Sequence, residues 1–294
     1  MDMEGVLSRM TASAAIRNWR NACQRILLAG LCLISLTVEA ATRVRVMAAP
    51  PAALAALRSQ ISDIEWLPGD AAPVSAADIT LVWQSEGYAR ATSQFSEQPI
   101  LLLAQSQAGL VLRSQDAALL WGPALAQQVQ LARQIRPGLQ RIGILYRNAQ
   151  RAEIEALLQK GGGVAILARA IDGDLSARAI SELAQRADIL IASNDEQLFN
   201  RDSAKLVLLT AYRHQRAWIG PTPAFVSAGA LATHAVAKET LLQAIVEKVR
   251  HWQQHGRLGA SLPLPADEVV CNVQVARSLG LVLSPAVGCR AGRP

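Results

Sequence analysis

Five short polar clusters carry the chemistry-bearing residues of this chain, and each follows an apolar run. Arg147-Asn148 closes the run Ile142–Tyr146, and Ser193-Asn194-Asp195-Glu196 closes residues 188–192. Gly220-Pro221-Thr222 follows residues 217–219. Ser85-Glu86-Gly87 follows residues 79–83, and Gln105-Ser106 follows residues 100–104. An arginine can grip a carboxylate through two parallel hydrogen bonds, and Asn, Gln and Ser supply orienting donors and acceptors. Such residues at the carboxyl ends of parallel strands converge on one edge of a sheet, where α/β proteins hold ligands. The candidate ligand-binding set is therefore Ser85, Gln105, Arg147, Asn148, Ser193, Asn194 and Asp195. Taken singly, each is equally a turn or N-cap residue; the convergence of several loops is the signal.

Signs of catalysis are sparse. The chain has no Gly-x-Ser-x-Gly elbow. Gly161-Gly162-Gly163 lacks the Lys-Ser/Thr ending of a phosphate loop and follows a helical pattern, so it reads as a helix stop. His251 and His255 have the i, i+4 spacing of a metal pair but lack an evident third ligand. They are better explained as residues on the wet face near a helix C-terminus, where the macrodipole favours positive charge. His214 and His234 read as surface residues. The expectation is a binding protein without an enzymatic reaction, cofactor or metal.

The elements that must position these loops alternate strand and helix. Arg43–Met47, 63–67, Ile79–Trp83, Ile100–Ala104 and 117–121 read as strands, with a helix over 52–61 and a poorly defined segment after residue 83. A helix from Pro123 to Ile135 stops at Pro137-Gly138, and an apolar strand starts almost at once. Beyond it come a helix over 149–160, a strand over 164–168, a helix over 175–186 and a strand over 188–192. A helix over 197–212 and a strand over 217–219 continue the pattern. Continuous apolar strands between amphipathic helices are the mark of a parallel sheet covered on both faces. Gly229–Ala232 reads as a short strand or crossover. Thr233 is the expected cap of a long helix over 234–255 with an apolar stripe from Leu241 to Trp252. A strand over 267–271 and a short helix over 273–279 close the chain. The fold class expected is α/β, with two Rossmann-like lobes of parallel strands flanked by helices.

Arg17, Arg20 and Arg25 precede an apolar stretch, Ile26–Val38, and Val38-Glu39-Ala40 offers small residues for cleavage before Ala41. That is the pattern of a signal peptide over 1–40; the stretch falls short of the ~20 residues a membrane span needs. The protein is expected to be exported to the periplasm. The net charge of +6 is dispersed, without a Lys/Arg block or interleaved aromatics, which argues against a nucleic-acid partner. Cys271 and Cys289 remain after cleavage, and their spacing leaves open whether they pair.

From about residue 124 to 285 the chain resembles the substrate-binding proteins of an uncharacterised ABC-transporter family that includes tryptophan- and tyrosine-type binders. The resemblance rests on the run Ile135-Arg136-Pro137-Gly138-Leu139-Gln140-Arg141-Ile142-Gly143-Ile144-Leu145-Tyr146, and on Asp188 to Gln197, at the place of a strand and ligand loop. It rests also on Ala228-Gly229-Ala230-Leu231-Ala232, and on Cys271-Asn272-Val273 with Ala276, Leu279-Gly280-Leu281 and Pro285. It implies the type 1 periplasmic-binding-protein architecture, with lobe one at 41–138 plus 229–260 and lobe two at 139–228 plus 261–294. It also implies a monomer that closes around a small-molecule ligand and hands it to an ABC permease, with Asn148, Ser193, Asn194 and Asp195 as contacts. In the first lobe, Gln84-Ser85-Glu86-Gly87 and Gln105-Ser106-Gln107 stand where the family has Thr-Gly-Thr-Pro and Thr-Asp-Pro loops. That difference motivates an alternative: a ligand-poor accessory or sensory protein that supports an outer-membrane receptor or signalling partner.

Overall fold

A computed structural model describes residues 41–47, 51–60, 64–69, 77–160 and 163–291. The signal-peptide reading, Ile61 of the first helix and the glycines Gly161 and Gly162 lie outside these residues. The chain from Thr42 onward forms one unit containing both sheets.

The first sheet holds β1 (Thr42–Met47), β2 (Ile64–Pro68), β3 (Ile79–Trp83), β4 (Ile100–Ala104), β5 (Ala117–Leu120) and β11 (Leu262–Pro263), in the order β11-β5-β4-β3-β1-β2. All its pairings are parallel. The second holds β6 (Arg141–Tyr146), β7 (Ala165–Ala170), β8 (Ile189–Ala192), β9 (Ala217–Ile219), β10 (Ala232–Ala235), β12 (Glu268–Cys271) and β13 (Cys289–Ala291), in the order β13-β12-β10-β9-β8-β6-β7. Only the pairing of β10 with β12 is antiparallel. The orders β2-β1-β3-β4-β5 and β7-β6-β8-β9-β10 are the same winding used twice. In that winding the crevice opens where the order reverses, beside the ends of β1 and β3 and of β6 and β8.

The central strands bury both faces. In the second sheet, Ile142, Ile144, Ile189 and Ile191 pack into one core, while Leu145, Leu190 and Ala192 pack into the other. This alternation of two apolar faces is why the strands read as unbroken apolar runs. The first core is covered by α3 (Leu125–Ile135) and α4 (Arg151–Lys160), and the second by α5 (Ala177–Arg186), α6 (Arg201–Arg213) and α7 (Pro223–Ala228). Gly143 lets α5 approach: a Cβ there would lie 2.8 Å from side-chain atoms of Leu183 and Leu190. In the first sheet, Leu81, Leu101 and Leu103 meet Leu242, Ile245 and Val249 of α8 (Lys238–His255). On the opposite face, Val82, Leu102 and Ala104 meet Tyr88 and Ala91 of α2 (Glu86–Gln94). The remaining helices are α1 (Pro51–Gln60) and α9 (Val273–Ser278).

Several expectations need correction. The undefined segment after β3 is α2. Thr233 does not cap the long helix: it is fully buried within β10, and the helix begins at Lys238. His234 is only partly exposed, and that partial burial pushes its imidazole pKa down. The lobe boundaries shift as well. β10 pairs with β9 and β12 in the second sheet, so of 229–260 only α8 joins the first lobe's core. Leu262–Pro263 pairs with Leu119–Leu120 of β5 and belongs to the first sheet. The chain therefore crosses between sheets three times: between β5 and α3, between β10 and α8, and between β11 and β12.

Cys271 and Cys289 form a disulfide with Cα atoms 5.5 Å apart, joining β12 to the last strand. No helix among the described residues is long and apolar enough to cross a membrane.

Candidate functional site

The carboxyl ends of the two sheets face one another across a cleft. One part, about 500 Å³, is polar. Its first-lobe wall includes Ser85 and the loop Ser106–Leu110; its second-lobe wall includes Arg147, Asn148, Asp172 and Asn194–Gln197. A neighbouring part, about 810 Å³, is lined by Trp83, Trp121, Phe199 and Phe225, with Arg201 and Lys205 among its polar residues. Glu196 borders both parts.

Glu196 is also the direct link between the walls. Its Oε2 accepts hydrogen bonds from the Ser85 backbone N–H at 2.9 Å and the Ser85 hydroxyl at 2.5 Å. Its Oε1 accepts from the Gln105 N–H at 2.8 Å. The Ser85 N–H is aimed by an unusual backbone: Gln84 has φ of +83°, a conformation that costs free energy in a non-glycine residue. The Gln84 N–H bonds to the Leu103 carbonyl at 2.9 Å, which ties the turn to β4.

On the second-lobe wall, the half-buried Arg147 donates from Nη1 to the Gln197 side-chain oxygen at 3.0 Å. Its backbone N–H is held by Gln150 at 3.1 Å. Asn148 is exposed and opens a short 3₁₀ turn, Asn148–Gln150. Its side-chain Oδ1 accepts from Arg151 Nη2 at 3.0 Å, and its side-chain amide donates to Asp172 Oδ1 at 3.4 Å. Asp172 lies just beyond β7 and escaped the sequence reading, although the same strand-end rule reaches it.

The loop after β8 divides into different roles. Asp195 is only 7% exposed, and its Oδ1 accepts from the N–H groups of Gln197 and Leu198 at 3.0 and 2.9 Å. It caps its own turn while bordering the cleft. The Asn194 amide donates to the Pro123 carbonyl at the first crossing. Ser193 is 1% exposed and lines neither part of the cleft; its hydroxyl is buried without a hydrogen-bond partner among the described residues. Ser193 is thus removed from the cleft wall by burial. Gln105 contributes its N–H to Glu196 and borders the aromatic part rather than the polar one. Ser85, Arg147, Asn148, Asn194 and Asp195 are brought together.

The loop forming the far wall is pinned from behind. The Asp116 side chain has no exposed surface; it accepts from Tyr88 Oη at 2.5 Å, the Ile100 N–H at 2.8 Å and Arg113 Nε at 2.7 Å. Burial, and then the bond to Asp116, raise the Tyr88 phenol pKa; the bond to Asp116 raises that of Arg113. Arg113 also donates to the Ser96 carbonyl at 2.7 Å.

His251 and His255 stack edge to face with centroids 4.3 Å apart. Among the described residues no group of three or more His, Cys, Asp or Glu is arranged to hold a metal ion.

No protein-family model matches the chain, and no curated protein matches it in sequence. Solved structures do match in shape. A conserved domain protein from Vibrio cholerae aligns over 86% of this chain and all of its own, with a TM-score of 0.62 and 17% identity. The ligand-free, open structure of a Clostridium difficile substrate-binding protein with adhesive properties covers 85% and 98% at TM-score 0.62 and 16% identity. The fold is that of the type 1 periplasmic-binding proteins. A Streptococcus pneumonia ABC domain in complex with L-Trp shares it, at TM-score 0.58 and 18% identity over 84% of this chain and 97% of its own.

Proposed function

We propose that this protein is an exported solute-binding protein that captures a small polar organic molecule between its two lobes and passes it to an ABC permease. The observation that carries this reading is the polar cleft between the carboxyl ends of two like-wound sheets, where Arg147, Asn148, Asp172 and Gln197 face Ser85 and Ser106. In such a cleft Arg147 grips an anionic group, and the amides orient the rest of the solute. Its volume of about 500 Å³ suits a molecule of metabolite size. Export is supported by the leader-like pattern of residues 17–40 and by the Cys271–Cys289 disulfide, since such bonds persist in oxidising compartments. The L-Trp-bound structure sharing the fold supports a small-molecule ligand.

A thermal-shift screen over amino acids and small carboxylates, with mass spectrometry of whatever copurifies, tests the reading. A saturable rise in melting temperature is expected. A flat response across the screen, with no copurifying molecule, rejects it. One observation favours a second reading, an accessory protein that supports a receptor or signalling partner: Glu196 already occupies first-lobe donors that a solute would use. A flat screen together with a stable protein complex recovered from the native host supports that alternative. A neighbouring outer-membrane receptor gene, instead of a permease and ATPase pair, points the same way.

A further inference from the structure

We propose that the first lobe carries a carboxylate subsite which the chain itself fills. Glu196 is a resident ligand that latches the lobes, and an incoming solute displaces it with a carboxylate of its own. Three donors converge on one carboxylate: the Ser85 N–H and hydroxyl on Oε2, and the Gln105 N–H on Oε1. Two of the three are backbone groups at the ends of β3 and β4, so they cannot turn away when the carboxylate leaves. The Gln84 conformation and the Gln84–Leu103 bond hold the Ser85 N–H in place. Ser85 also heads α2, whose first-turn N–H groups add positive potential at the same point.

The guest is foreign to the lobe that binds it. Glu196 comes from the loop after β8, and among the described residues its carboxylate bonds only to first-lobe donors. No Lys or Arg pairs with it among the described residues, so the cradle is built from neutral donors that suit any carboxylate. Glu196 stands at the boundary of the polar and aromatic parts of the cleft, so a solute from either side can reach the same donors. Losing the carboxylate without replacement leaves three part-buried donors to water or a new acceptor, which favours exchange over simple release. The identity of the displacing solute rests on the proposed binding function; the latch and the subsite do not.

Glu196→Ala removes the fragment that acetate replaces, so acetate is the probe. The variant is expected to melt roughly 3–8 °C below wild type and to show a larger radius of gyration by small-angle scattering. Sodium acetate should restore both values saturably in the variant, beyond sodium chloride at equal ionic strength, and leave wild type unchanged. Ser85→Ala in the Glu196→Ala background should weaken that rescue several-fold. An unchanged melting temperature and radius overturn the latch, and acetate acting no better than chloride overturns the subsite. If Glu196→Ala does not fold, Glu196→Gln keeps the volume, and an unchanged radius and melting temperature there overturn the latch. A failed solute screen on wild type bears on the proposed function and leaves the acetate result standing.

Discussion

The backbone of Gly122 runs so close to Gln105 that a Cβ placed on it would lie 2.3 Å from the Gln105 carbonyl oxygen and 2.9 Å from Cγ of Asn194. The Gly122 N–H bonds to that same carbonyl at 3.1 Å. Glycine is therefore required where β5 leaves the first sheet, the β4 loop turns and the second lobe's Asn194 arrives. Gly122→Ala should destabilise the protein by about 1–3 kcal/mol through overpacking. Urea unfolding reads this as a lower midpoint with an unchanged slope.

Arg147 and Asp195 both border the cleft, yet their replacements should behave differently. Arg147→Ala gives up one partly exposed hydrogen bond to Gln197, so its stability should change by less than about 1 kcal/mol while solute response falls. Asp195→Ala uncaps a buried turn and should cost about 1–2 kcal/mol even without solute. Parallel melting curves with and without solute separate the two effects. An Arg147→Ala variant with an undiminished solute response rules out that residue as a contact.

Asp116 anchors the cleft's far loop from within the first lobe. Asp116→Ala leaves the Tyr88 hydroxyl and the Arg113 guanidinium without their shared acceptor, and should cost roughly 3–5 kcal/mol. Chemical denaturation measures the loss. Faster amide exchange in residues 106–116 should accompany it.

His234 gives stability a pH dependence of known sign. Burial holds its pKa below the ordinary 6.5, while an acceptor on Ala266 partly opposes that shift. Between the two values the unfolded chain binds more protons than the folded one. The histidine's contribution is thus whole above 6.5 and is lost as pH falls toward the depressed value. The melting temperature should drop on acidification from 7 through that window. His234→Gln should flatten the drop without abolishing it, because His251 is shifted in the same direction. A slope identical to wild type in His234→Gln would show that this imidazole has the same pKa folded and unfolded.

Parts of the fold were legible because burial on both faces writes a continuous signal: Ile142 to Tyr146 could only be an interior strand. The strand-end rule likewise led to Arg147, Asn148 and Ser85. Other parts hide because local chemistry is ambiguous. In α2, Gly87, Thr92 and Ser93 are weak helix formers, and the segment is helical because Tyr88 and Ala91 find the β3–β4 face. Thr233 imitates an N-cap ahead of an apolar stripe, but it is a β-branched residue one strand too early. Glu196 looks like a solvated turn acid, since its partners lie 111 and 91 residues away. Spacing along one strand end carries no trace of a bond made across to another lobe.

The three crossings make a mechanical statement about the molecule. They lie together: the Leu264 N–H bonds to the Leu120 carbonyl at 2.8 Å, and Trp121, Pro123, Val236 and Lys238 line one small cavity of about 380 Å³. Two bodies tied at a single point can swivel freely. Two bodies tied by three neighbouring strands resist twisting and retain mainly a bend about the line of the ties. Neither lobe is a contiguous stretch of the gene, so no single truncation or graft can deliver one of them whole. A protease that cuts one tie leaves two others, and the halves stay at the high effective concentration of an uncut chain.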